Sequence, residues 1–223
     1  SEACRRQSRR FDSGIQDGNE LNRDCITLRG YRACYLENIL QAPGILVEGT
    51  DELHKVTEKI TGGSLQIQSV SLNTELKPYQ QNGYRWLYSM DQMHMGGILA
   101  DDMGLGKTVQ IIALLQATRK TGRTSLIVAP TSLTYNWYSE IRRFAPDLSA
   151  VVLNGTAEQR EHVIRHICDA GDVDVLITSY PLIRRDVELM ADYRFRFVIL
   201  DEAQHIKNAG SVAAAAVKKL DAD

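Results

Sequence analysis

Apolar and polar positions recur along this chain with two periods. Residues 125–129, 151–153, 175–178 and 197–200 are short apolar runs rich in β-branched side chains, the pattern of strands buried on both faces. Between them, residues 132–144, 157–168 and 181–190 space their apolar positions three and four apart, the period of a helix. Pro78 suits the first turn of a further helix. In that helix Tyr79, Gly83, Trp86, Leu87 and Met90 share the face expected to be core, and Gln80 projects elsewhere with its amide free. Residues 97–100 read as one more short buried strand, and 109–115 as the helix after it, beginning at about Lys107. Strand and helix in alternation predict an α/β fold, a parallel sheet sandwiched by helices with right-handed crossovers.

The stretch before residue 74 breaks this rhythm. Residues 31–41 pattern as a helix ending before Pro43, 51–60 as a second helix stopped by Gly62, and 65–70 as an alternating strand. Arg5, Arg6, Arg9 and Arg10 form a basic cluster that reads as a solvated tail. The expected organisation is a small N-terminal flanking module over 1–73 and an α/β lobe over 74–223.

Composition narrows the class. The chain has 223 residues, 43% of them hydrophobic, enough for one sizeable core and a small second unit. No apolar run approaches the ~20 residues of a membrane span, so no membrane is expected among its partners. Cys4, Cys25, Cys34 and Cys168 make no Cys-x-x-Cys pair and no zinc pattern; reduced thiols are expected. A net charge of −2 argues against a globally basic nucleic-acid binder. Contact with DNA therefore calls for a local patch and has a modest, salt-sensitive affinity.

Two motifs carry chemistry. In Asp101-Asp102-Met103-Gly104-Leu105-Gly106-Lys107-Thr108 the glycines free backbone N–H groups to face phosphate oxygens. The helix that follows points its N-terminal dipole the same way. Lys107 can reach the β- and γ-phosphates, and Thr108 offers a hydroxyl to Mg²⁺. The generic pattern has glycine where Asp101 stands. The second motif, Asp201-Glu202-Ala203-Gln204, follows the apolar run 197–200 at the place where ligands bind an open α/β sheet. Asp201 can hold Mg²⁺ and Glu202 can polarise an attacking water. Trp137 and Tyr138 read as packing residues, and His162 and His166 as a surface helix face, because His-Glu-x-x-His is absent.

With these residues in hand, the chain resembles the Swi/Snf-type ATPases of helicase superfamily two from about Leu76 to Asp223. Residues 76–87 look like the family's Q-type motif and 98–108 like its motif I, in which an acid at the position of Asp101 is usual. Residues 126–133 with Asn136 and Trp137 look like motif Ia, 177–180 like motif Ib, and 201–204 like motif II, with Gln204 where many members have histidine. The resemblance implies a RecA-like P-loop NTPase lobe that uses ATP and Mg²⁺ to drive translocation on double-stranded DNA. It implies that Met103, Gly104, Leu105, Gly106, Lys107 and Thr108 bind nucleotide and that Gln80 contacts adenine. It further implies that motifs Ia and Ib, through Pro130, Thr131, Thr178 and Tyr180, face DNA.

The resemblance also implies a partner, a second RecA-like lobe that reaches the γ-phosphate with arginines. Residues 74–223 stop short of motif III, so this stretch by itself is expected to turn over ATP at a negligible rate. The motif III strand belongs between the loop strand and the Asp201 strand, where a gap is expected. A neighbouring copy, further chain, a rearranged flanking module or a distorted site are the ways to meet it. Competing readings are a nucleotide-dependent DNA-docking module without turnover, a restriction or repair translocase, and a kinase, which leaves Gln80 unexplained. The protein cargo is unknown. The compartment follows the DNA, the bacterial nucleoid or a nucleus, with Gln204 and the compact loops leaning toward a bacterial source.

Overall fold

The computed structural model describes residues 21–22, 25–26, 68–102, 104–119 and 122–223. The chain divides into two compact units, Ser1–Leu65 and Gln66–Asp223. In the first, β1 (Leu21–Asn22) pairs antiparallel with β2 (Cys25–Ile26). The helices expected at 31–41 and 51–60 and the arginine cluster lie outside the described residues, as do residues 65–67 of the expected strand; residues 68–70 form no strand. The second unit begins before residue 74 because the preceding segment is tied to its core. Tyr84 donates its hydroxyl to the Gln68 carbonyl at 2.6 Å, Leu72 packs on the hydrophobic core, and the Asn73 N–H donates to the Phe144 carbonyl at 2.7 Å.

The second unit runs α1 (Pro78–Gln92), α2 (Lys107–Ala117), β3 (Ser125–Ala129), α3 (Thr134–Phe144), β4 (Ala150–Val152), α4 (Ala157–Ala170), β5 (Val175–Ser179), α5 (Tyr180–Met190), β6 (Arg194–Phe195), β7 (Val198–Leu200), α6 (Val212–Val217) and β8 (Asp221–Ala222). One sheet, ordered β4-β5-β3-β7, is parallel throughout; β6 and β8 form a separate parallel pair. Alternate residues of β3 face opposite ways, as the period of a strand requires. Leu126 and Val128 meet Ile164 of α4 and Ile183 of α5. Ile127 and Ala129 meet Ile112 of α2 and Trp137 and Ile141 of α3. Every residue of β3 and β5 is buried, which is why both read as continuous apolar runs. The sandwich of helices about a parallel sheet is the fold class that the sequence implies.

Local chemistry sets the helix ends. Thr156 caps α4, accepting from the Gln159 N–H, while Gln159 accepts from the Thr156 N–H, and Gly171 stops the helix in the left-handed conformation. Pro181 sits in the first turn of α5.

Two expectations are corrected. Residues 97–100 form no strand, and Ile98 is 86% exposed. A strand exists through its neighbours, and among the described residues none lies beside this segment; β7, the nearest motif-bearing strand in the order, is bonded only to β3. The buried side of α1 is also rotated. Gln80, Tyr84 and Leu87 are buried at i, i+4 and i+7, whereas Tyr79 is 41% exposed. The rotation brings Gly83 against α2, where a Cβ would lie 1.8 Å from Gln110 Oε1. The absence of a side chain at Gly83 leaves room for the Gln110 amide.

Candidate functional site

The loop between residues 101 and 106 is shaped by its own side chains. Gly104 and Gly106 have φ of +83° and +75°, a region open to glycine at little cost. Gly106 is the residue from which α2 starts. Lys107, the first residue of α2, bends back so that Nζ donates to the carbonyls of Asp101 at 2.7 Å and Asp102 at 3.0 Å. Asp101, standing where the generic motif has glycine, accepts from Gln110 Nε2 at 3.1 Å. The loop is therefore anchored one helical turn into α2, with its ammonium held beside its glycines. Met103 lies outside the described residues.

Gln80 is not free, contrary to expectation. Its Nε2 donates to the Leu105 carbonyl at 3.0 Å and its Oε1 accepts the Lys77 N–H at 3.0 Å. The rotation of α1 turns this side chain inward against the loop. A primary amide has two protons and two acceptor lone pairs, so one of each is left after these bonds. A Cβ on Gly106 would lie 2.5 Å from Gln80 Nε2; the loop and the Gln80 amide fill one space.

The acidic pair stands beyond the end of β7. The Asp201 N–H continues the sheet by donating to Val128 at 2.9 Å. Its Oδ2 accepts the Trp137 indole N–H at 2.8 Å and its Oδ1 accepts the Glu202 N–H at 2.9 Å. The Asp201 carbonyl accepts the Tyr180 hydroxyl at 2.8 Å. Burial, and then the charges of Asp201 and Glu202, push the Tyr180 phenol up to about 12, so it remains a donor. Tyr180 stacks on His205 with ring centres 4.9 Å apart. Glu202 has φ +49° and ψ +53°, an uncommon conformation for a non-glycine residue. Its carboxylate accepts from Gln204. Strain held at an acidic residue beyond a strand end is a mark of a working site.

The two motifs meet through a residue that sequence reasoning missed. Glu140 of α3 lies close enough to Thr108 and to Asp201 for both to act on its carboxylate. Burial raises the Glu140 pKa, Thr108 and Arg143 lower it, and Asp201 raises it. Trp137, read as a packing residue, is 5% exposed and does pack, yet it also holds the Asp201 carboxylate. Trp137 and Glu140 are three apart and so share a helix face, the only sign in the sequence that they act together.

Thr108, Asp201 and Glu140 thus form one polar neighbourhood beside Lys107. These groups fit a magnesium ion carried in with a triphosphate. Mg²⁺ is bound through one or two protein oxygens together with phosphates and waters, rather than by an all-protein cage. Among the described residues there is no group of three or more His, Cys, Asp or Glu able to hold a metal without such help.

The residues assigned to DNA divide. Thr131 is exposed and Pro130 half-buried, at the turn Thr131–Leu133 between β3 and α3. Thr178 is fully buried, with no hydrogen-bond partner for its hydroxyl among the described residues, and Tyr180 is 4% exposed. Neither presents a surface to DNA, because both lie where β5 runs through the sheet interior into α5. His162 and His166 are exposed, His166 lying 3.2 Å from Asp172.

This is a phosphate-loop α/β lobe with acids at the end of a parallel strand. Residues 79–223 match the SNF2-related domain, and the chain belongs to that family. It is 42% identical over 150 residues to an uncharacterized ATP-dependent helicase of Mycoplasma pneumoniae, covering 66% of this chain and 14% of that protein. It is 38% identical over 152 residues to the ISWI chromatin-remodeling complex ATPase ISW1 of Saccharomyces cerevisiae, covering 67% of this chain and 14% of that protein. Among solved structures, the Sulfolobus solfataricus SWI2/SNF2 ATPase core in complex with dsDNA superposes with a TM-score of 0.63 at 32% identity, over 71% of this chain and 32% of that one. The chain therefore spans a small part of the length of these relatives.

Proposed function

We propose that residues 76–223 are the ATP-binding lobe of a DNA-dependent translocase, acting with a second lobe of the same kind. The observation that carries this reading is the glycine loop folded over Lys107 at the start of α2, with the strand-end Asp201 held by Trp137 of the neighbouring helix α3. It gathers a triphosphate cradle and a strand-end carboxylate in one place, as phosphoryl transfer requires. In this reading the triphosphate takes over the Lys107 ammonium from the carbonyls of Asp101 and Asp102. The glycine N–H groups and the start of α2 receive phosphate oxygens, and the spare hydrogen-bonding capacity of Gln80 meets the adenine edge. Thr108 and Asp201 hold the Mg²⁺, which when bound neutralises charge on the phosphates. Glu202 orients and polarises the attacking water. Duplex DNA lies along the Pro130–Thr131 turn.

Fast turnover calls for positive groups from the second lobe, which in related enzymes contribute roughly 10³–10⁵ in rate. Residues 1–223 by themselves bind ATP and hydrolyse it negligibly. The relatives named above come from a bacterium, an archaeon and yeast, and the proposed compartment is wherever the duplex is, nucleoid or nucleus. No helix among the described residues is long and apolar enough to cross a membrane.

The test is ATP turnover by a chain that joins this lobe to a second one, with and without double-stranded DNA. DNA should stimulate turnover strongly, and Lys107→Ala should abolish both binding and stimulation. Unchanged nucleotide affinity in Lys107→Ala would sink the phosphate-loop assignment. ATP binding with no response to DNA would favour a nucleotide switch driven by another partner.

A further inference from the structure

We propose that Trp137 and Glu140, on one face of α3, are positioning residues that couple duplex DNA at the Thr131–Leu133 turn to the metal-holding groups Asp201 and Thr108. The proposal rests on the translocase reading above. Trp137 donates its indole N–H to Asp201 Oδ2 at 2.8 Å. With the Glu202 N–H on Oδ1, this fixes the plane of the carboxylate and so the direction of its remaining lone pairs. Glu140 acts on the other metal-holding group. A hydroxyl that gives lone pairs to a cation must send its proton elsewhere, and the half-buried Glu140 carboxylate, near Thr108 and three residues from Trp137 on the same helix face, is placed to take it. Two side chains one turn apart on a single helix thus orient the groups that come from α2 and from the end of β7.

The same helix begins at the exposed turn. Thr134, its first residue, donates its hydroxyl to the Thr131 carbonyl at 3.0 Å, and the Leu133 N–H donates to Pro130 at 2.8 Å. Turn and helix therefore shift together when Thr131 is engaged. Hydrogen bonds tolerate little displacement: a donor drawn ~1 Å beyond a 2.8 Å contact has left bonding range. A small motion of α3 is enough to make or break the hold on Asp201.

Coupling of this kind is reciprocal. Binding of Mg²⁺·ATP in the full chain should tighten by at least about fivefold when a short duplex is present, and duplex binding should tighten by the same factor when Mg²⁺·ATP is present. In Trp137→Phe, which keeps the ring packing and removes the donor, that factor should fall to about one, and the Mg²⁺ concentration needed for half-maximal ATP binding should rise. Binding of metal-free ATP, measured in EDTA, separates this from a collapsed loop, because it draws on Lys107, the glycines and Gln80 and on neither of the metal-holding groups. Glu140→Met, which removes the acceptor at a half-buried position, gives a second variant should Trp137→Phe not fold; it should lower the coupling factor and raise the Mg²⁺ requirement in the same way. Full coupling in either folded variant overturns the proposal, as does a factor of one in the unaltered chain. In these outcomes Mg²⁺·ATP still binds and is still lost in Lys107→Ala, so the translocase reading is judged separately.

Discussion

Gly106 shows how much of the site is decided by a single backbone conformation. At φ +75° an L side chain costs roughly 1–2 kcal/mol. A Cβ there would also push against Gln80 Nε2, which is bonded to Leu105. Gly106→Ala should lower stability by about that amount and weaken ATP binding by more than tenfold; a denaturant melt and a nucleotide titration check both. Tyr180 gives a pH test. Tyr180 and Tyr84 hold their protons up to about 12 in the fold, against 10.0 ordinarily. Burial is the first cause for each. Above pH 10 the unfolded chain releases these protons before the native state does. The contribution to stability is thus complete below pH 10 and is lost as pH rises toward about 12. In Tyr180→Phe the fall in melting temperature over that range should be shallower than in the unaltered chain. Equal slopes would mean that Tyr180 titrates normally.

Between elements, the clearest specific contact is the ion pair that joins α4 to α5. Arg160 donates Nε and Nη2 to the two oxygens of Asp186 at 2.7 and 2.9 Å, and Nη1 to the Gly155 carbonyl at 2.8 Å. Both side chains are buried. The pair can add little net stability, since desolvation offsets attraction, but leaving one charge buried alone is costly. Asp186→Ala should destabilise the lobe by about 3–5 kcal/mol, whereas replacing both residues by apolar ones of similar volume should recover most of the loss. A double-mutant cycle from chemical denaturation measures this. Additive single losses would show that the two groups act apart.

For the whole lobe, the sheet has a protected middle and an open side. β3 is bonded on both sides, to β5 and β7, and β7 on one side alone among the described residues. Unpaired strand edges expose backbone groups to water and to other chains. Amide hydrogen exchange should therefore be slowest in β3 and β5, and markedly faster in β7 and in residues 97–100. Equal protection of β7 and β3 would mean that another strand covers the edge. A net charge of −2 leaves no global attraction for DNA. Binding through a local turn should weaken steeply as salt is raised.

The alternation of strands and helices, the loop and the acidic pair are legible in the order of residues. Each is written locally: continuous apolar runs mark β3 and β5, because both faces of these strands are covered, and Gly104, Gly106 and Lys107 carry their chemistry in adjacent positions. The motif order also carried the family. The rest depends on which surfaces meet in the folded lobe. Periodicity places Tyr79 inside α1 and Gln80 outside; in the fold Gln80 is buried and bonded to the loop at Leu105, and Tyr79 is exposed. An apolar run at 97–100 is strand-like in composition, but strands need neighbours, and the pairing is not encoded in the run itself. The resemblance assigns Thr178 and Tyr180 to DNA, and the end of β5 and the start of α5 bury both side chains. Trp137 reads as a packing residue and Glu140 carries no signal of its own; α3 brings the first to Asp201 and the second near Thr108. Local spacing sets the period of an element; the partners it packs against set which of its faces does chemistry.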